Sequence, residues 1–220
     1  GDPCANATTV TFDNYDYELV AIGNQCWFAE NLRTTTYANG DSIPGDLDGE
    51  AWGSTIEGAM AIFGEGNSIV WSGDENEVAN LELYGRLYNG FAVFDERGLC
   101  PNNWHVPSDE EWMTLELTLG MSETELALEG SRGTDQGSQM KATFGWGGGE
   151  GNNSSGFTGL PGGVRGYGDG GWFMNGGFSA FFWASTPFDE LTLDPSAYAP
   201  LPLAWMRELQ KNNSQVSRSF

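Results

Sequence analysis

Apolar and polar positions alternate through Thr9-Val10-Thr11-Phe12 and again through Tyr15-Asp16-Tyr17-Glu18-Leu19-Val20, with the turn formers Asp13-Asn14 between the two runs. A period of two places each run on a half-buried strand, so the chain is expected to open with a β-hairpin. Gly23-Asn24 then turns it into an apolar stretch, Gln25 to Leu32, expected to pack on the core. Residues 39–80 are rich in Gly, Asp and Asn, hold sustained periodicity only over 56–63, and read as a long loop region with at most one short helix. The strongest helix signal is Pro107-Ser108-Asp109-Glu110-Glu111, where Ser108 can cap and Glu111 can reach back to it. Trp112, Leu115 and Leu119 then share one face before Gly120 stops the helix. A second capping pattern, Ser122-Glu123-Thr124-Glu125, predicts a shorter helix to about Leu128. Glycine is so frequent over 145–177 that only short strands joined by tight turns are expected, and strand patterns return over 181–185, 204–209 and 215–220. The expected class is α+β with few helices, and the absence of a fixed-period repeat or biased linker favours a single domain over 1–220.

Charge narrows the possible partners. Thirty-one acidic residues against 9 Lys+Arg leave a formal net charge of −22, which argues against nucleic acid and against polybasic membrane-surface binding, since both need clustered cations. The longest uncharged run, 170–188, has the length of a membrane span but is interrupted by Gly170, Gly171, Asn175, Gly176, Gly177 and Ser179, so the protein is not expected to span a membrane. Gly1-Asp2-Pro3-Cys4 suits a mature N-terminus from which any signal peptide has been removed. Cys4, Cys26 and Cys100 are too far apart for a CxxC pair. An acidic, Lys-poor, Asn/Gly-rich composition fits an extracellular setting in which disulfides form, with one cysteine left over.

Catalytic chemistry has little to build on. The lone histidine, His105, lies between Trp104 and Val106 and reads as a packed or hydrogen-bonded imidazole, leaving no partner set for zinc or for a Cys-His pair. Glu110-Glu111, Glu123/Glu125 and Asp189-Glu190 could supply the two carboxyls of glycoside hydrolysis, but the pairs on the expected helices are explained by capping and by the helix dipole. Ca2+ is a possible cofactor, with Asp41, Asp46, Asp48 and Asp74 as weak candidate ligands in loops that match no EF-hand spacing and otherwise read as solvated acidic segments. Gly147-Gly148-Gly149 lacks the lysine of a phosphate loop. Most informative are the aromatics Trp172-Phe173-Met174 beside Asn175, then Trp205, then the polar run 210–215. Rings beside amides suit a ligand face, so Trp172, Asn175, Trp205, Gln210, Asn212, Asn213 and Gln215 are candidate ligand-binding residues, while 181–185 reads mainly as core.

Several strings now resemble a known family. Ile22-Gly23-Asn24-Gln25-Cys26-Trp27-Phe28-Ala29-Glu30-Asn31-Leu32, Tyr84-Gly85-Arg86-Leu87-Tyr88-Asn89-Gly90 and Gly98-Leu99-Cys100-Pro101-Asn102-Asn103-Trp104-His105-Val106-Pro107-Ser108 are similar to the Fibrobacter succinogenes major paralogous domain family. Ser155-Gly156-Phe157-Thr158-Gly159-Leu160-Pro161-Gly162-Gly163-Val164-Arg165, Phe182-Trp183-Ala184-Ser185-Thr186 and Ala204-Trp205-Met206-Arg207-Glu208-Leu209 follow in the expected order. The resemblance implies a secreted or surface-attached protein with a C-type lectin-like fold whose final strands and loops present the ligand surface. The family usually closes on a Gly-Phe-Ser-Val-Arg-Cys-Val-like strand, whereas this chain stops at Val216-Ser217-Arg218-Ser219-Phe220. The expectation is therefore of an incomplete C-terminus that holds a partner for Cys100, with Cys4 and Cys26 forming a second bridge. Residues 194–202 add a Pro-rich departure that blurs any carry-over of ligand positions. The leading expectation is a noncatalytic extracellular recognition or adhesion module binding a glycan or cell-surface protein. The alternatives are a self-assembling subunit of a cell-surface filament or layer, and a secreted carbohydrate-active enzyme.

Overall fold

The computed structural model describes residues 1–66, 68–73, 76–167, 170–188 and 202–220. The opening alternation forms β1 (Thr9–Phe12) and β2 (Tyr15–Ile22), and β3 (Gln25–Phe28) completes a three-stranded antiparallel sheet in the order β1-β2-β3. Asp13 and Asn14 join β1 to β2 with φ of 48° and 59°, the paired positive values that match a two-residue turn to strand twist. The Asp13 carboxylate accepts from the backbone N (2.6 Å) and hydroxyl (2.8 Å) of Thr35, which anchors the hairpin tip and holds its carboxyl below the usual range. A disulfide joins Cys4 to Cys26 across a separation of 22 residues. Closing a loop of that length stabilises the fold by about 3 kcal/mol in the chain-entropy account.

The Gly- and Asp-rich middle is more ordered than its composition suggests. It holds α1 (Gly49–Ser54), β4 (Met60–Ala61), α2 (Glu77–Tyr84), β5 (Leu87–Tyr88) and α3 (Gly90–Val93), with β4 and β5 paired antiparallel. The expectation of at most one short helix over 39–80 is corrected: α1 is opened by Asp48 accepting from Ala51 N, and α2 by Asn76 accepting from Ala79 N. Both are side-chain caps hidden among many loop-forming Asp and Asn residues.

The expected helix is α4 (Asp109–Thr118), with the Ser108/Glu111 capping box formed and Trp112 and Leu115 buried. The second expected helix, 122–128, is absent. Glu125 is drawn to Ser122 Oγ and Gly133 N, while the carbonyls of Leu126 and Ala127 accept from Arg132 and Arg218 and so are taken from any helical ladder. Beyond it lie β6 (Gly130–Arg132), α5 (Gln136–Met140), β7 (Gly162–Arg165), β8 (Phe173–Gly176), β9 (Ser179–Pro187), β10 (Ala204–Gln210) and β11 (Val216–Ser219). The strands form one six-stranded sheet in the order β6-β11-β10-β9-β7-β8, antiparallel except where β7 runs parallel to β9. The architecture is α+β, and no helix among the described residues is long and apolar enough to cross a membrane.

The main core joins both sheets and α4 through Trp27, Trp112, Leu115, Phe157, Leu209 and Val216. Smaller clusters gather on Phe63 and Phe173 and on Tyr37 and Leu99. A buried charge network crosses the main core. Arg207 pairs with Asp109 (2.8 Å) and Glu116 (2.6 Å), Arg218 with Asp109 (2.7 Å), and Arg132 with Glu116 (2.6 Å), which ties α4 to β6, β10 and β11.

Candidate functional site

At the outer edge of the six-stranded sheet, residues 69–72 run alongside β8. Phe173 N donates to Ile69 O (3.0 Å), Trp71 N donates to Phe173 O (2.9 Å), and Asn175 N donates to Ser72 Oγ (2.8 Å). Val70 and Phe173 form the bridge between the two segments, and the period of two sends their side chains inward, where Phe173 is fully buried. Ile69, Trp71, Trp172 and Met174 therefore share the outward face. Ile69 is 56% and Trp71 63% exposed, Trp172 and Met174 are half-buried, and the two indole rings lie 5.1 Å apart at a tilt of 42°.

Arg165 holds this face from beneath. Its guanidinium lies between Trp52 (4.6 Å) and Phe173 (4.7 Å) and donates to Glu65 (2.9 Å), Leu47 O (2.7 Å), Ser68 Oγ (3.0 Å) and Gly171 O (3.1 Å). Burial raises the Glu65 carboxyl above its usual range even with Arg165 beside it. The approach to Trp172 is tight: a Cβ on Gly170 would lie 2.0 Å from Trp172 Nε1, and one on Gly49 would lie 2.0 Å from Gly170 O. Gly170 also has φ of 92°, so glycine is required there on two counts. Asp48 and Glu50, both exposed, flank Gly49, whose backbone meets Gly170 and Gly171.

The sheet face that bears Met174 extends across β7, β9 and β10. Val164 pairs with Met174, and Met206 pairs with Trp183 two positions along from the pairing of Glu208 with Phe181, so these side chains share one sheet face. Val164, Phe181, Trp183 and Met206 line a cleft of about 1080 Å³ between the two larger sheets, with Tyr88 and Trp104 also on its wall. Cys100 borders the cleft as a free cysteine whose thiol burial pushes up to about 12, leaving it little thiolate character. His105 lies at the surface, its Nε2 2.9 Å from both carboxylate oxygens of Glu111. It is hydrogen-bonded, as expected, but not packed.

Trp172 and Asn175 fall on one edge, Asn175 exposed near the end of β8 with φ of 61°. The turn at 210–213 lies beside it: Phe178 N donates to Asn175 O, and Lys211 N donates to Phe178 O. Gln210 and Asn212 are exposed there. Asn213 and Gln215 instead hold the turn in place, Asn213 through Gln215 N (3.0 Å) and Ser131 Oγ (3.2 Å), and Gln215 through Gly133 O (2.8 Å). Lys141, almost wholly buried, aims its Nζ at the carbonyls of Gly149, Gln210, Lys211 and Asn213 at 3.0 to 3.1 Å. Trp205 lies at the opposite end of β10 from Gln210, at a register shift, with the Arg218 guanidinium 3.3 Å from its ring centroid and Phe188 5.0 Å away. The weak calcium candidates disperse. Asp41 meets Arg97 (3.5 Å) and Asp48 caps α1, while Asp46 is exposed. Among the described residues, no three His, Cys, Asp or Glu gather where they could hold a metal. Asp74, Asp189, Glu190 and residues 194–201 lie outside the described residues. Sequence reasoning missed Ile69 and Trp71, although the run Ser68-Ile69-Val70-Trp71-Ser72 carries a short strand-like signal inside the loop region.

A scan against protein families matches the Fibrobacter succinogenes major domain over residues 20–217. Searches of curated proteins and of solved structures return no match.

Proposed function

The chain belongs to the Fibrobacter succinogenes major domain family, and from that premise we propose that it is a noncatalytic extracellular recognition or adhesion module that meets a glycan or protein surface through the Trp71–Trp172 face. The observation that carries this reading is an indole 63% exposed beside a second indole 5.1 Å away, on a face clamped from below by a buried arginine. Rigid rings already standing in water bind at little ordering cost. The Cys4–Cys26 disulfide supports an oxidising, extracellular setting. A C-type lectin-like character for the fold, with ligand-presenting final strands and loops, belongs to the same proposal. A surface-layer subunit would use the same exposed rings, but a net charge of −22 on each copy opposes self-contact.

Trp71→Ala should weaken binding to glycan or protein ligands found by array screening by about tenfold or more, as for a truncated aromatic anchor. Its melting temperature should stay within about 2 °C of the parent, because the ring is mostly outside the core. Unchanged binding in a folded Trp71→Ala protein would remove the face from the account.

A further inference from the structure

Six of the nine cationic side chains stand over aromatic rings: Arg33 on Tyr15, Arg97 on Tyr37, Lys141 on Trp146, Arg165 on Trp52 and Phe173, Lys211 on Phe178, and Arg218 on Trp205. The other three are also engaged, Arg86 with Arg33 O, Arg132 with Glu116, and Arg207 with Asp109 and Glu116. Among the described residues, no cation of this chain stands over the Trp71–Trp172 ring pair, although Trp71 is 63% exposed. Asp48 and Glu50 lie on either side of Gly49, which touches Gly170 and Gly171 at the base of the Trp172 loop. Indole is the best of the side-chain rings for holding a cation. An exposed indole pair with no cation of its own, on a chain of net charge −22 and next to the segment that carries Asp48 and Glu50, is complementary to positive charge.

We propose that this face docks a lysine- or arginine-rich segment of a partner protein, with a cationic head lying on Trp71 and its charge turned toward Asp48 and Glu50. The inference rests on the recognition reading above and narrows its partner. A neutral glycan would use the rings but not the negative charge, a second copy would bring another charge of −22, and an anionic membrane would be repelled.

The test titrates the whole chain with a hexa-arginine peptide, read by calorimetry at about 20 mM and about 300 mM NaCl, because ion pairing weakens as screening grows. The variants are Trp71→Ala, the pair Asp48→Asn with Glu50→Gln, and a control pair, Glu123→Gln with Glu129→Gln, which removes the same charge from other exposed positions. Asn keeps the cap on α1. The expected result is salt-sensitive binding, weakened about fivefold or more by each of the first two changes and less than about twofold by the control pair. Binding that Trp71→Ala leaves intact would reduce the effect to diffuse attraction and overturn the proposal, as would no binding at low salt. A neutral oligosaccharide bound through Trp71 without salt dependence, with hexa-arginine ignored, would overturn the cationic partner while leaving the recognition reading in place. Loss of Trp71 dependence for every ligand would remove both.

Discussion

Asp109 opens α4 and lies 4% exposed between two guanidinium groups, hydrogen-bonded to Arg207 (2.8 Å) and Arg218 (2.7 Å). Burial pushes its carboxyl up, but the hydrogen bonds from Arg218 and Arg207 outweigh it, so the group titrates below its usual value of 3.8. A carboxyl with a depressed folded-state pKa contributes stability that is complete above its unfolded value and lost as pH falls through the folded one. Unfolding free energy by urea titration should therefore show no loss from this group between neutrality and about pH 5, then fall below about pH 4. Asp109→Asn should cost about 3 kcal/mol at neutral pH, by leaving buried arginines underpaired, and should make the acid limb shallower. An unchanged acid limb would show that other carboxyls set it. The sequence explains Asp109 locally, as first-turn helix chemistry, but its partners lie 98 and 109 residues away, and no local pattern reports a pairing over that distance. The surroundings of Trp205 depend on distant residues in the same way: the Arg218 guanidinium lies over its ring from the neighbouring strand.

Elements whose signals are local were legible. The β1–β2 hairpin follows from its alternation and turn residues, and α4 from a capping box that forms as read. The helix expected at 122–128 fails because Arg132 and Arg218 reach in from elsewhere and take its carbonyls. The 210–215 turn shows the same dependence on distant groups, since four carbonyls around it converge on Lys141 Nζ. Lys141→Met should destabilise the protein by about 2 to 3 kcal/mol, leaving those carbonyls without their buried donor. It should also speed amide exchange through 211–215 more than through β1 and β2. Uniform exchange changes across the chain would contradict a local pin. Short extended segments such as 69–72 escape a sequence reading because four residues of alternation inside a Gly- and Asp-rich stretch are outweighed by their surroundings.

In the whole molecule, the candidate face is assembled from parts far apart in sequence. Residues 69–72, 164–165 and 172–175 meet through β8 pairing and through the grip of Arg165 on Leu47, Glu65, Ser68 and Gly171. Trp172 and Asn175 could be picked out by residue type, but their neighbour Trp71 could not, because its position depends on a parallel alignment across about one hundred residues. The negative charge of the chain acts at this scale too, steering cations toward the surface from beyond contact range. The most direct test of the account is hydrogen–deuterium exchange of the intact protein, alone and saturated with its strongest array ligand. Protection concentrated in 69–73 and 170–176 is the predicted result. Protection that leaves those segments unchanged and falls instead on β1, β6 or the Trp205 end of β10 would contradict it.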